Sequence, residues 1–129
     1  MLKSKCRSGE LKREEMGKHI LFVLKPGFYD GDEGPFYCPH SAAIEGILKY
    51  LPEIEEKVDV RRIDFQRPRK EVIELIGEEN QGSPVLVLDT ASEVPPGAQV
   101  YAKTGRAFMH GTTEIGNFLS RTLGVMRPH

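Results

Sequence analysis

The chain has 129 residues, a length that suits one globular domain and is short for two. Hydrophobic residues make up 39% of it and charged residues 29%, which is typical of a soluble protein with one core. The formal net charge of -1 gives no general attraction to nucleic acid or to an anionic membrane. We therefore predict neither of them as a partner.

The sequence contains no segment that is typical of a membrane span or a secretory signal. The longest uninterrupted apolar run, residues 20–24, is far below the ~20 residues that cross a bilayer. Residues 1–17 carry charges throughout and lack an apolar stretch, so we predict a flexible tail there. These features predict a cytoplasmic protein whose single domain spans residues 18–129.

The two cysteines of the chain, Cys6 and Cys38, do not make a disulfide framework. Cys6 lies in the predicted tail, and a structural disulfide is not expected in a reducing cytoplasm. Thiol chemistry would therefore come from Cys38 together with a partner outside the chain. We predict no metal site, because Cys38 and His40 lack a third and a fourth ligand at metal-binding spacing.

The first half of the chain alternates between strand and helix patterns. Residues 19–25 predict a buried strand, and residues 26–37, rich in glycine and proline, predict a loop. A helix follows with Pro39 in its first turn. Residues 58–65 favour a second strand, and Pro68 opens a second helix. The apolar faces of the two helices comprise Ile44, Ile47, Leu48 and Leu51, then Val72, Ile73, Leu75 and Ile76.

The second half of the chain continues with two strands and a last helix. After a polar loop, residues 84–88 predict a strand, and residues 90–105 predict a long polar connection. Residues 106–109 predict a short antiparallel strand. Thr112 or Thr113 is expected to cap the final helix. The apolar positions of that helix are Ile115, Phe118, Leu119 and Leu123.

The resulting order, β-α-β-α-β-β-α, predicts an α/β fold with a mixed central sheet and helices on both faces. Strands that alternate with helices pair in parallel through right-handed crossovers, and a late hairpin adds an antiparallel edge. The thioredoxin fold has this order. We therefore predict a thioredoxin-like domain.

The motif Cys38-Pro39-His40-Ser41 lies at the predicted start of the first helix. Unpaired N–H groups and the helix dipole favour a thiolate there, and a protonated His40 would add to the effect. Ser41 occupies the position where a dithiol enzyme has its resolving cysteine, so a redox cycle would need an external thiol such as glutathione. Simpler interpretations stay open, namely a structural cysteine and an idle, exposed histidine.

Further candidate ligand-binding residues are the pair Ser83-Pro84 and three arginines. A cis peptide bond is predicted between Ser83 and Pro84, which would leave the backbone of Ser83 free to pair with an extended thiol peptide. Arg67 and Arg69 form a basic cluster that suits a carboxylate, and Arg106 is a candidate of the same kind. A solvated surface is the alternative interpretation of these arginines.

Two resemblances follow from these motifs. Cys-Pro-x-Ser at residues 38–41, together with Gly82-Ser83-Pro84-Val85-Leu86, resembles monothiol glutaredoxins and the N-terminal domains of glutathione transferases. Over residues 18–129 the chain also resembles an uncharacterised bacterial family of unknown function that is assigned a thioredoxin-like fold. The second resemblance rests on Leu24-Lys25-Pro26-Gly27-Phe28, Phe36-Tyr37-Cys38, Arg67-Pro68-Arg69, Gly77-Glu78-Glu79-Asn80-Gln81 and Gly105-Arg106-Ala107-Phe108.

The glutaredoxin resemblance implies that Cys38 is the nucleophile and that the backbone of Ser83, beside Pro84, holds the cysteinyl part of glutathione. The protein would then be a glutathione-dependent thiol oxidoreductase or transferase without a bound cofactor. Glutathione, or a thiol-containing small molecule or peptide, would be its partner. The alternative is a non-catalytic thioredoxin-like module that uses the groove near Ser83-Pro84 to bind a peptide or a second copy of itself as a homodimer.

Overall fold

The computed structural model describes residues 18–129. Its strands are β1 (His19–Leu24), β2 (Phe28–Asp30), β3 (Glu33–Phe36), β4 (Val58–Ile63), β5 (Val85–Val87), β6 (Gln99–Tyr101) and β7 (Arg106–His110). Its α-helices are α1 (Pro39–Tyr50), α2 (Ile54–Lys57), α3 (Lys70–Ile76) and α4 (Thr112–Leu123), and a 3-10 turn spans Glu78–Asn80. The predicted flexible tail at residues 1–17 lies outside the described residues.

Five of the strands form one mixed sheet in the order β4-β1-β5-β7-β6, and β2 and β3 form a separate hairpin. Strand β1 is parallel to β4 and antiparallel to β5. Strand β7 is antiparallel to both β5 and β6. Five of the six residues of β1 are buried, since helices cover both faces of the sheet. This double burial explains the uninterrupted apolar run of the sequence.

Alternate residues of β1 belong to two different cores. Leu21 and Val23 pack with α1, α2 and α4 on one face of the sheet, while Ile20 and Phe22 pack with α3 on the other. The helices supply Ile44, Leu48, Ile54, Ile115, Phe118 and Leu119 to the first core, and Val72 and Ile76 to the second. The predicted α/β class, with a mixed sheet between helices, is confirmed, and the arrangement is compatible with a thioredoxin-like fold.

The predicted loop at residues 26–37 is wrong, because most of it forms the β2–β3 hairpin. Asp30 pairs with Glu33 across a two-residue turn that begins at Gly31, whose φ is 67°. A two-residue Gly-Asp turn between strands is a hairpin signal, and the many glycines and prolines around it concealed that signal. The Gly27 N–H donates to the carbonyl oxygen of Phe36 at 2.8 Å, which closes the base of the hairpin.

The edge of the sheet also differs from the prediction. The connection predicted at residues 90–105 contains β6, which pairs with β7 and replaces it as the edge strand. Strand β6 has only three residues, and its central Val100 is half exposed, so it leaves no clear hydrophobic alternation. The short helix α2 was likewise not predicted.

Two helices begin at residues other than those predicted. The N-cap of α4 is Gly111, with a φ of 97° and no side-chain capping bond, so the expected threonine cap is wrong. Thr112 is instead the first helical residue. Helix α3 begins at Lys70, two residues after Pro68, because Arg69 has a non-helical backbone (φ -95°, ψ 85°) and is the N-cap. Its N–H donates to the side chain of Gln81 at 2.8 Å.

The packing around His19 predicts a loss of stability in acid. The backbone N–H of Asp89 donates to Nδ1 of His19 at 3.0 Å, which requires that nitrogen to be unprotonated. Burial lowers the pKa of His19 below its usual 6.5, and the Asp89 carboxylate opposes this less strongly. The unfolded chain therefore binds a proton at His19 more readily than the folded chain does. As a result, the free energy of unfolding decreases as the pH falls below 6.5.

We expect His19→Asn to reduce the pH dependence of the free energy of unfolding, measured by urea denaturation between about pH 7 and about pH 5. His129→Asn is the matched control, because His129 is exposed at the end of the chain. An identical pH dependence in the wild type and His19→Asn would contradict the assignment.

Candidate functional site

A buried hydrogen bond joins the start of α1 to the end of β1. The N–H of Leu24, the last residue of β1, donates to Oγ of Ser41 at 3.0 Å. Ser41 is only 2% exposed. The hydroxyl therefore anchors the helix to the strand. Ser41 lies in the predicted site, but its oxygen is committed to the fold and not available to solvent.

Cys38 is the N-cap of α1, as the sequence predicts. Its backbone is extended, and Sγ accepts a hydrogen bond from the Ser41 N–H at 3.4 Å. Pro39 occupies the first helical turn, where its missing N–H leaves no bond unmade. The thiol is free and partly buried. Sulfur thus takes the place of the usual capping oxygen, where first-turn N–H groups stabilise negative charge.

Ser83 and Pro84 lie at the same end of the sheet as Leu24. Strand β5 runs antiparallel to β1 and pairs Val85 with Phe22, so β5 begins where β1 ends. Oγ of Ser83 donates to the carbonyl oxygen of Phe22 at 3.0 Å. The Ser83–Pro84 peptide bond is cis, as predicted. The structure therefore brings Cys38, Ser41, Ser83 and Pro84 to one end of the sheet, where β1 ends and β5 begins.

Arg69, just before α3, is a buried cation. It is 8% exposed, and its guanidinium donates from Nε and Nη2 to the carbonyl oxygen of Phe65 and from Nη1 to that of Gln81. Burial lowers the pKa of Arg69 and the nearby Arg67 lowers it further, whereas Cys38 opposes both.

Arg67 lies in a cleft of about 420 Å³ between the end of β4 and the start of α3. The cleft also contains Lys25, which is paired with Asp64 at 3.3 Å, and Lys70. Within residues 18–129, neither Arg67 nor Lys70 forms a salt bridge. Both are exposed, so the cleft presents positive charge to solvent.

One predicted site residue, Arg106, does not join this arrangement, whereas His40 lies where the sequence places it. Arg106 begins β7 at the end of the sheet opposite Ser83, where its Nε donates to the carbonyl oxygen of Leu88 at 2.9 Å. Arg106 therefore lies outside the candidate ligand-binding site. His40 is in the first turn of α1, next to Cys38, and is exposed.

Sequence reasoning missed a group of aromatic rings around the hairpin that precedes Cys38. The ring of Phe28, on the hairpin, stacks on Phe65 with centroids 4.3 Å apart and an angle of 8° between the planes. The rings of Phe36 and Tyr37, just before Cys38, are 41% and 66% exposed. The Gly31-Asp32 turn would have revealed the hairpin. No sequence signal would have indicated which ring stacks on Phe65.

The fold and the site together define an α/β protein. Its free, partly buried thiol caps the first helix at one end of a mixed sheet. Such a thiol can attack a disulfide or an electrophile. The chain belongs to the DUF3088 family, described as a protein of unknown function, which matches residues 18–127. This confirms the resemblance to a family of unknown function. No curated protein and no solved structure matches the chain.

The described part of the chain has no helix that is both long and apolar enough to cross a membrane.

The bond between Ser41 and Leu24 predicts a structural cost for Ser41→Ala. The variant leaves the buried N–H of Leu24 without an acceptor, so we expect the free energy of unfolding to fall by about 1–3 kcal/mol. Urea denaturation measures this change. Ser92→Ala is the control, because Oγ of Ser92 makes only an exposed bond, and its effect should stay within about 0.5 kcal/mol. Equal effects of the two substitutions would contradict the anchoring role of Ser41.

Proposed function

We propose that the protein is a thioredoxin-like monothiol oxidoreductase that uses Cys38 as nucleophile and glutathione as co-substrate. The single observation that carries the proposal is the position of the thiol. Sγ of Cys38 accepts the Ser41 N–H at the start of a twelve-residue helix and remains partly exposed. The first-turn N–H groups of a helix favour a nucleophilic sulfur in this position, and the residue is only partly buried.

The order of the strands supports the thioredoxin-like part of the proposal. Strands β4, β1, β5 and β7 are adjacent, with one parallel pair followed by antiparallel ones. The crossover from β1 to β4 contains α1 and α2, and the crossover from β4 to β5 contains α3. This is the β-α-β-α-β-β-α order, to which the hairpin β2–β3 and the edge strand β6 are additions.

The first chemical step would be a thiol–disulfide exchange. The Cys38 thiolate attacks the glutathione sulfur of a mixed disulfide between glutathione and a substrate thiol. A Cys38–glutathione disulfide forms, the substrate disulfide breaks, and the substrate sulfur leaves as a thiolate. Ser41 cannot resolve this intermediate, because it is not a thiol and its oxygen is buried against Leu24.

A second molecule of glutathione would complete the cycle. Its thiolate attacks the glutathione sulfur of the intermediate, so that glutathione disulfide forms and the Cys38 thiolate leaves. Over the cycle, one glutathione thiol is consumed, the substrate sulfur is released as a thiolate, glutathione disulfide forms, and the enzyme returns to its starting state. Neither a metal nor a bound cofactor takes part in the proposed cycle.

Two features would bind glutathione in this scheme. Ser83 lies at the same end of the sheet as Cys38, where its backbone would pair with the extended cysteinyl part of the ligand. The exposed guanidinium of Arg67 offers two parallel donors to one of the glutathione carboxylates.

The decisive experiment is glutathionylation of a Cys6→Ser variant, in which Cys38 is the remaining cysteine. Incubation with glutathione disulfide should add one glutathione to Cys38, as seen by intact-protein mass spectrometry, and reduced glutathione should remove it. The doubly substituted Cys6→Ser, Cys38→Ser protein is the control and should gain no adduct. A folded Cys6→Ser protein that reacts with neither glutathione disulfide nor iodoacetamide would refute the proposal and favour the non-catalytic binding module.

The role proposed for Arg67 predicts a change in KM. Arg67→Gln should raise the KM for glutathione about threefold and leave kcat nearly unchanged, because an exposed ion pair contributes up to about 1 kcal/mol. Steady-state reduction of a glutathione mixed disulfide gives both constants. Arg121→Gln, which removes an exposed arginine from α4, is the matched control for net charge. The same KM in both variants would exclude Arg67 as a ligand.

A further inference from the structure

We propose that the cleft between the end of β4 and the start of α3 binds the phosphate group of a small organic phosphate monoester. The inference goes beyond the function proposed for Cys38, because it requires no thiol. Glutathione and this phosphate would share Arg67, so the two ligands would compete for that side chain. The proposal rests on the charges of the cleft, on its buried arginine and on its size.

The acidic side chains that line the cleft are already paired with basic ones. The Asp64 carboxylate lies 3.3 Å from Nζ of Lys25, and the Glu71 carboxylate lies 3.1 Å from Nη1 of Arg61. Arg62, which also lines the cleft, is bound by two glutamates at 2.9 and 3.2 Å. These pairs leave no carboxylate of the cleft to balance further positive charge.

Three other basic residues line the same cleft and form no salt bridge among residues 18–129, namely Arg67, Arg69 and Lys70. Arg67 and Lys70 are exposed, whereas Arg69 is 8% exposed. Burial lowers the pKa of Arg69, and the positive charge of Arg67 lowers it further. An anion bound between these side chains would offset their mutual repulsion.

Arg69 has hydrogen-bonding capacity that the described part of the protein does not use. Its Nε and Nη2 donate to the carbonyl oxygen of Phe65, and its Nη1 donates to that of Gln81 at 2.7 Å. Each terminal nitrogen carries a second N–H, and neither of these has an acceptor among residues 18–129. A buried donor without an acceptor costs free energy, so an oxygen of a ligand would stabilise this guanidinium.

The amount of unbalanced charge favours a phosphate over a carboxylate. A phosphate monoester carries about two negative charges at neutral pH and offers several strong acceptor oxygens, whereas a carboxylate carries a single charge. The phosphate therefore balances more of the charge of Arg67, Arg69 and Lys70. Arginine also binds phosphate oxygens in pairs through its planar fork.

The size of the cleft indicates a small organic ligand. Its volume of about 420 Å³ exceeds what a phosphate ion fills and is typical of sites for small molecules. The exposed ring of Pro68 lines the cleft and offers apolar surface to the organic part of the ligand. A bilayer is disfavoured as the source of the phosphate, because the net charge of -1 gives the protein no general attraction to an anionic surface.

Isothermal titration calorimetry of the full-length wild-type protein with phenyl phosphate tests the proposal. Benzoate is the matched ligand, because it has the same ring and a carboxylate in place of the phosphate. We expect phenyl phosphate to bind about tenfold more tightly, since its second negative charge adds attraction. The proposal would be overturned by equal affinities for the two ligands, or by no binding of phenyl phosphate.

Variants of the cleft show whether the phosphate binds there. The double substitution Arg67→Gln, Lys70→Gln should raise the Kd for phenyl phosphate about tenfold, because two exposed ionic contacts are lost. The matched control is Lys103→Gln, Arg121→Gln, which removes the same charge from exposed positions elsewhere and should leave the Kd unchanged. Equal Kd values in the two double variants would contradict the proposal. An Arg69→Gln protein that folds by circular dichroism and still binds as tightly as the wild type would contradict it too.

A lipid is the other source of a phosphate monoester, and vesicles of phosphatidylcholine and phosphatidic acid in equal amounts test it. We expect the protein not to sediment with these vesicles. Sedimentation that is lost in the Arg67→Gln, Lys70→Gln variant would overturn the assignment to a small soluble ligand.

The outcomes separate this inference from the glutathione chemistry. A protein that binds phenyl phosphate through Arg67 and Lys70 but forms no glutathione adduct at Cys38 would support the inference and refute the proposed function. A protein that forms the adduct and does not bind phenyl phosphate would support the proposed function and refute the inference.

Discussion

The hydrogen bond from the Leu24 N–H to Oγ of Ser41 fixes where the first helix meets the central strand. The donor is the last residue of β1, and a shift of the helix along the strand would leave a buried N–H unpaired. Ser41 also donates its own N–H to Sγ of Cys38. One serine thus connects the strand, the helix and the thiol, so the core sets the position of the sulfur.

A second set of hydrogen bonds joins the segment before α3 to the turn before β5. Gln81 is buried and uses its side-chain oxygen to bind the Arg69 backbone, while its own carbonyl oxygen accepts from the guanidinium. The side-chain nitrogen of Gln81 donates to the carbonyl oxygen of Glu78. The turn before β5 and the segment before α3 are therefore held together by polar contacts. Because Ser83 follows this turn closely, the same contacts position Ser83 at the end of the sheet where the proposed substrate would bind.

The sequence predicted the parts of the fold that depend on local pattern. The apolar run of β1 and the helical spacing of Ile44 and Leu48 are strong signals, and both elements lie where they were expected. The placement of Cys38 as a helix cap and the cis bond before Pro84 were also predicted correctly.

The missed features depend on contacts between residues far apart in the chain. Strand β6 is short and half exposed, and it is defined by its pairing with β7. The burial of Arg69 depends on carbonyl oxygens of Phe65 and Gln81, which no local pattern reveals. Arg106 looked like an equivalent arginine in the sequence, yet the direction of β7 places it at the other end of the sheet.

The hairpin between β1 and Cys38 has a consequence for how this fold can vary. The chain enters the hairpin after Gly27 and leaves it at Phe36, and the two residues are hydrogen-bonded to each other. The intervening residues are therefore an excursion whose ends are already closed. Insertions, deletions or a wholly different loop between those ends would alter the surface before Cys38 without moving the sulfur. Under the proposed function, substrate recognition and thiol reactivity would therefore lie on separable pieces of chain, and the first could diversify while the second stays constant.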